Sequence, residues 1–313
     1  MIGLPALYTF AGLVFGSWAV ATLLDRQHTK RLLGASFWGL LAMEFLAGDA
    51  LGDTGNGLLL LLLVALALLG APGKGQAATI TIAERLASVA RHGNRLFLPA
   101  LIMPGVALAG TFIFPLLPGL VDPKQVTLIS LGLGALIATS VLMLWLRPPL
   151  VAPMQEGRRL AEGVGWAMIL PQLLASLGAL FTVAGVGEIV GALAPMAIPE
   201  GSRLAAVLAF TAGMAIFTIM MGNAFAAFPV MMGGIGLPVL VLGLGGDPVV
   251  VAAVGMLAGF CGTLLSPMAA NFNIVPAALL NLPDRYAVIR AQWPTAVLLW
   301  LFNTAMIWGF AFR

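Results

Sequence analysis

The stretch that decides how this chain reads is Gly262–Pro276, "GTLLSPMAANFNIVP". It lies inside a long apolar region. Yet it holds Thr263, Ser266, Asn271 and Asn273, with Cys261 just before it, and two prolines. Pro267 and Pro276 lack the N–H that would satisfy a carbonyl about one turn earlier, and hydrocarbon supplies no water in its place. A helix facing only lipid gains nothing from such residues. Unwound backbone at membrane depth persists where protein buries it or where it lines a cavity. The stretch therefore reads as one wall of a binding site.

The rest of the chain supplies the setting. Of its 313 residues, 61% are hydrophobic and 9% charged, outside the range of soluble domains. The fold class expected is an all-α polytopic membrane protein with about ten crossings and re-entrant or broken helices. Thirty-eight glycines and fifteen methionines suit close, adjustable helix contacts. The lone Cys261 excludes an intrachain disulfide, and His28 and His92 sit beside basic residues in polar connections, so no structural metal is expected. The first apolar run starts at Ile2 without a basic leader and reads as a retained span.

Apolar runs cover 2–24, 32–47, 58–71, 97–117, 126–146, 166–195, 204–222, 229–245, 249–282 and 293–312. With one net crossing each, Lys124, Arg203 and Arg313 fall on one side and the remaining Lys and Arg on the other. Basic residues favour the cytoplasm, so both termini are expected outside. The acids of "AGDALGDTGNG" (47–57), Asp49 and Asp53, then lie in an external loop. Residues 72–96 contain Ile80, Ala83, Ala87 and Ala90 at helical spacing opposite Arg85 and Arg91; an interfacial helix and a solvated helical loop both fit. The 147–165 connection reads as a linker between an N-terminal half (1–147), scaffold-like, and a C-terminal half (166–313).

Three places in the second half combine helix interruption with polar groups. Residues 169–195 form a glycine-punctuated, hairpin-like segment carrying Glu188, a candidate for ion coupling. Gly222-Asn223 and Pro229 separate consecutive helices. The third is the opening stretch, within the hairpin-like segment 259–282. Freed N–H groups at a helix N-terminus suit a carboxylate, while freed carbonyls with Asn and Ser oxygens suit a sodium ion or an amide N–H. Asn, Ser and Thr also simply join helix to helix. The small-residue pairs Gly12–Gly16, Gly187–Gly191 and Gly255–Gly259 read as packing faces.

"LGALFTVAGVGEIVGAL" (177–193) and "GTLLSPMAANFNIVP" resemble the hairpin segments of the ion transporter superfamily, which holds gluconate, citrate and C4-dicarboxylate permeases. The whole chain, with "HGNRLFLPALIMPG" and "GNAFAAFPVMMGGIG", is more similar to a subunit of a bacterial two-component permease associated with 5-oxoproline uptake. The resemblance implies an inner-membrane secondary transporter for a small carboxylate, driven by sodium or protons, with a second, smaller membrane subunit. Carried over by motif, the hairpin tips fall near Gly178-Ala179 and Ser266-Pro267, and the broken helix at Gly222-Asn223. The expected substrate-binding residues are thus Gly178, Ala179, Gly222, Asn223, Thr263, Ser266, Pro267, Asn271 and Asn273. Neither a Gly-x-x-x-x-Gly-Lys-Ser/Thr loop for ATP nor paired catalytic groups stand in the sequence, so no enzyme is expected. A non-transporting assembly subunit remains the alternative, with an intramembrane enzyme behind it.

Overall fold

A computed structural model describes residues 2–73, 75, 82–199, 201–280 and 282–312. Lys74, Ile80, Arg313 and the Arg85 side chain lie outside the described residues. Those residues form helices and no strand, and eight helices are long and apolar enough to cross a membrane. The chain divides into two compact units, Met1–Trp166 and Ala167–Arg313.

In the first unit, α1 (Leu4–Leu24) packs along α2 (Arg31–Leu68). Gly12 lies so close to Leu46 and the Ala42 carbonyl that a Cβ would collide with the leucine. At 38 residues, α2 is too long for one straight crossing. Gly52 resolves this with φ +63° and ψ −178°, a conformation only glycine adopts cheaply. The arms 31–51 and 53–68 fold back on each other. Lys30 Nζ donates to the Leu69 carbonyl at 2.6 Å, and Asn56 Nδ2 bridges the break to the Gly48 carbonyl at 2.9 Å. The acids at 49 and 53 therefore flank a helix kink rather than sit in a loop. One glycine absorbs the whole reversal.

A short amphipathic helix, α3 (Ile82–His92), leads through a 3-10 turn, Gly93–Phe97, into α4 (Leu98–Ile113). Antiparallel to α4 runs α5 (Val126–Leu146): Gly110 abuts Ser130, and Gly134 abuts the Met103 backbone. Both α1 and α5 start from one end, because Ile2 exchanges backbone hydrogen bonds with Leu120 and Asp122 and Gly132 meets Leu7. Arg26, Lys30, Arg91, Arg95 and Arg147 consequently gather at one end of this unit, and Lys124 stands at the other.

The 147–165 connection departs from a linker. It contains α6 (Ala152–Val164), docked on α1 with Gly157 under the Trp18 ring. Arg158 and Glu162 are buried in this docking. Arg158 Nη2 holds Asp25 Oδ2 at 3.0 Å, and its Nε lies 3.6 Å from Glu162 Oε1. Glu162 Oε2 accepts the Gly75 N–H at 2.8 Å, and Oε1 faces His28 Nε2 at 3.4 Å. His28, though placed by the sequence in a polar connection, is buried, with Nδ1 accepting the Lys30 N–H at 3.2 Å. The cluster ties together the end of α1, the exit of α2 and α6. In sequence this stretch reads as a linker; the Asp25 carboxylate that meets Arg158 and the His28 imidazole that meets Glu162 lie over a hundred residues away.

The second unit holds α7 (Leu170–Val183), α8 (Val186–Ala197), α9 (Arg203–Met221), α10 (Ala224–Met231), a π-helical segment (Met232–Gly243), α11 (Pro248–Thr263), α12 (Ile274–Leu279) and α13 (Ala287–Phe310). Its core is built on α9, whose Val207, Phe210 and Met214 are fully buried among Met231, Leu240, Val251 and Ile307. Gly255 gives way to the Phe210 ring. Gly187 and Gly191 let α8 lie on the backbone of Val230 and Gly234, so this pair is a packing face.

Removing one partner from a buried ion pair leaves the other unpaired, typically at about 3–5 kcal/mol. Arg158→Ala, which takes the cation from both Asp25 and Glu162, is expected to cost an amount of that order in thermal or denaturant unfolding of the purified protein. Arg159→Ala, at the half-exposed Arg159–Glu156 pair, is expected to cost about 1 kcal/mol or less.

Candidate functional site

Four places where regular α-helix is interrupted in the second unit bear on the expected site. The first is the turn at Ala184-Gly185, where Gly185 takes φ +69° and joins α7 to α8. The arms are 14 and 12 residues long, about 21 and 18 Å at 1.5 Å per residue, short of the roughly 30 Å hydrocarbon core. The tip lies later than the motif placed it. Gly178 and Ala179 are in mid-helix, where Gly178 packs against the Ala226 backbone and Ala179 faces outward. Glu188 occupies the exposed first turn of α8, where a helix N-terminus favours an acid.

At the second interruption, Gly222 ends α9 in the left-handed region, with φ +72° and its N–H on the Thr218 carbonyl at 2.6 Å. Asn223 then starts α10, its Oδ1 accepting the Phe225 N–H at 2.9 Å. The third is the π-helical segment. It contains Pro238 and passes against α8 through Gly234.

The fourth is the opening stretch. Helix α11 stops at Thr263, and the chain is irregular until Ile274. Three of the carbonyls at the break meet side-chain amides. Asn273 Nδ2 donates to the Thr263 and Ser266 carbonyls at 2.8 and 2.6 Å. From α13, Gln292 Nε2 donates to the Leu264 carbonyl at 3.0 Å and also to Asn273 Oδ1. Thr263 Oγ returns to the Phe260 carbonyl at 2.6 Å.

The second and fourth interruptions meet. Ser266 Oγ donates to the Ile219 carbonyl, in the last turn of α9, at 2.5 Å and accepts the Met268 N–H at 3.1 Å. The Gly222 Cα is packed so closely on Met268 that a Cβ would lie 2.5 Å from its carbonyl carbon. Two separate breaks are thereby one packed junction.

The expected residues divide in role. Thr263, Ser266 and Asn273 are buried and occupied by the chain's own backbone. Gly222 is buried as a spacer. Asn223 is half-buried, and its Nδ2 has no partner among the described residues; Pro267 and Asn271 are exposed, and Asn271 bonds to nothing among them. Two further residues belong to the junction. Gln292 is the amide at the head of the last span, two residues before Pro294, and that placement is a signal present in the sequence. Thr218, fully buried beside Gly259 and Gly262, has a hydroxyl without a hydrogen bond among the described residues. Elsewhere neutral polar pairs join helix to helix: Thr211 with Thr304, and Asn303 with Cys261. Among the described residues no three His, Cys, Asp or Glu side chains gather around a metal position.

Losing a buried donor that satisfies two carbonyls costs about 1–3 kcal/mol or more. Asn273→Ala is therefore expected to lower the unfolding temperature clearly, and Gly222→Val to prevent folding. Asn271→Ala is expected to leave stability unchanged. Detergent-solubilised thermal unfolding of the three variants checks the order.

No curated protein and no solved structure matched the chain. A family model described as protein of unknown function (DUF979) matches residues 5–312. A match over nearly the whole length assigns the polytopic helical chain, with its two interlocked helix breaks, to a family: it belongs to DUF979.

Proposed function

We propose that the protein is a subunit of a secondary transporter for a small carboxylate, with 5-oxoproline as the specific substrate. It works with a second, smaller membrane subunit, in a bacterial inner membrane. The observation that carries this reading is the junction of 219–223 with 264–273. Backbone broken twice at one place, and held there by side chains from three elements, exceeds what packing two helices requires. Beside it, Asn223 Nδ2 and the Asn271 amide remain unbonded.

Such a site matches the proposed substrate. A carboxylate is attracted by the first-turn N–H groups of α10, which lie at the positive end of that helix. A lactam offers one N–H and one carbonyl, and an asparagine amide answers both. No lysine or arginine is required at depth, so the empty site avoids the cost of an unpaired buried charge. A sodium or proton gradient supplies the energy. The basic end of the first unit faces the cytoplasm, with both termini outside.

The assembly-subunit reading has one observation in its favour: Ser266 and Asn273 spend their hydrogen bonds on the chain itself. Uptake separates the two. Labelled 5-oxoproline is expected to accumulate in proteoliposomes containing this chain and its partner subunit when an ion gradient is imposed. Asn223→Ala with Asn271→Ala is expected to cut uptake about tenfold, the equivalent of one lost hydrogen bond, while the protein stays folded. Uptake unchanged by the pair removes these residues from the site, and no uptake under any gradient favours assembly.

A further inference from the structure

Two segments of the chain share one construction. In each, an amphipathic helix is stopped by a glycine at positive φ, Gly93 (+52°) or Gly165 (+68°). A five-residue 3-10 turn follows, and then a helix beginning Leu-Pro, at Leu98-Pro99 or Leu170-Pro171. The amphipathic helices differ in what covers them. Helix α6 buries Arg158, Ala161 and Glu162 against protein. On α3, Leu86 is 64% and Val89 54% exposed, with Ala83, Ala87 and Ala90 exposed beside them.

Three observations say what covers α3. The first is height. The His92 ring, at the end of α3, packs edge-on at 5.1 Å against Trp145, in the last turn of α5. Tryptophans at span ends mark the membrane–water boundary, so α3 ends at that boundary. The second is length: the helical run Leu86–Leu116 is 31 residues, more than one straight crossing needs, and Gly93, at φ +52°, interrupts it ahead of α4. The third is charge. Arg91 and Arg95 are exposed, and among the described residues neither pairs with a carboxylate.

We propose that α3 and the 3-10 turn after it form an anionic-phospholipid binding element: Leu86 and Val89 enter the interface while Arg91 and, in the turn, Arg95 hold phosphate headgroups. An apolar arc of this kind inserts several ångströms into the headgroup region, and each basic residue near an anionic surface adds attraction. Arginine suits phosphate through its planar, forked donors. This inference does not depend on what the protein transports.

Hydrogen exchange of the full chain in nanodiscs tests it, with phosphatidylcholine alone compared with phosphatidylcholine containing a quarter phosphatidylglycerol. Amides of 83–92 are expected to exchange about tenfold more slowly with the anionic lipid, while peptides from α1 and α5 are unaffected. Arg91→Gln with Arg95→Gln is expected to abolish the difference, and Arg91→Lys with Arg95→Lys to retain most of it. Equal exchange of the unaltered chain in both lipids overturns the proposal without any variant. So does a difference that survives the glutamine pair.

Discussion

A carbonyl freed inside a bilayer must find a donor, because lipid provides none. The second unit is arranged around that constraint. Helix α11 stops mid-course, and the carbonyls of Thr263, Leu264 and Ser266 are answered by Asn273 and Gln292. Helix α9 stops as well, and the Ile219 carbonyl is answered by Ser266. Ser266 thus serves both breaks, accepting from the Met268 N–H of its own loop while donating across to α9. The glycine at 222 is the spatial complement of this bond: without a Cβ, the Met268 backbone comes close enough for Ser266 to reach.

The first unit solves a different problem with charge. Three segments distant in sequence converge at its basic end, where buried Arg158 stands between two carboxylates and Glu162 accepts from a backbone amide. Such a cluster contributes little net free energy relative to an apolar replacement. Its effect is on geometry, because mispaired arrangements leave a buried charge without a partner. Docking α6 this way fixes where the first unit ends.

The helical membrane class was legible in composition alone, and the place of the main break was legible in Ser266-Pro267 and the two asparagines after it. These signals are local. Proline removes a donor wherever it stands, and amides are out of place in lipid. What could not be read was which asparagine would be spent on structure. Asn271 and Asn273 are equivalent in sequence, yet one faces outward and the other satisfies two carbonyls and accepts from Gln292 of α13, a partner nineteen residues on. The hairpin tip at Gly185 was similarly hidden among several glycines; only packing shows that Gly178 is a contact with Ala226. The return of α2 at Gly52 lay in a stretch whose acids and glycines look like a loop. A helix broken at one residue leaves the same composition.

At the centre of this structure, the two breaks form one cooperative element. Hydrogen exchange measured on peptides covering 219–227 and 264–275, before and after Ser266→Ala, tests that claim most directly. Both peptides are expected to lose protection together, since the variant frees the Ile219 carbonyl and the Met268 amide at once. Faster exchange confined to 264–275, with 219–227 unchanged, would contradict it.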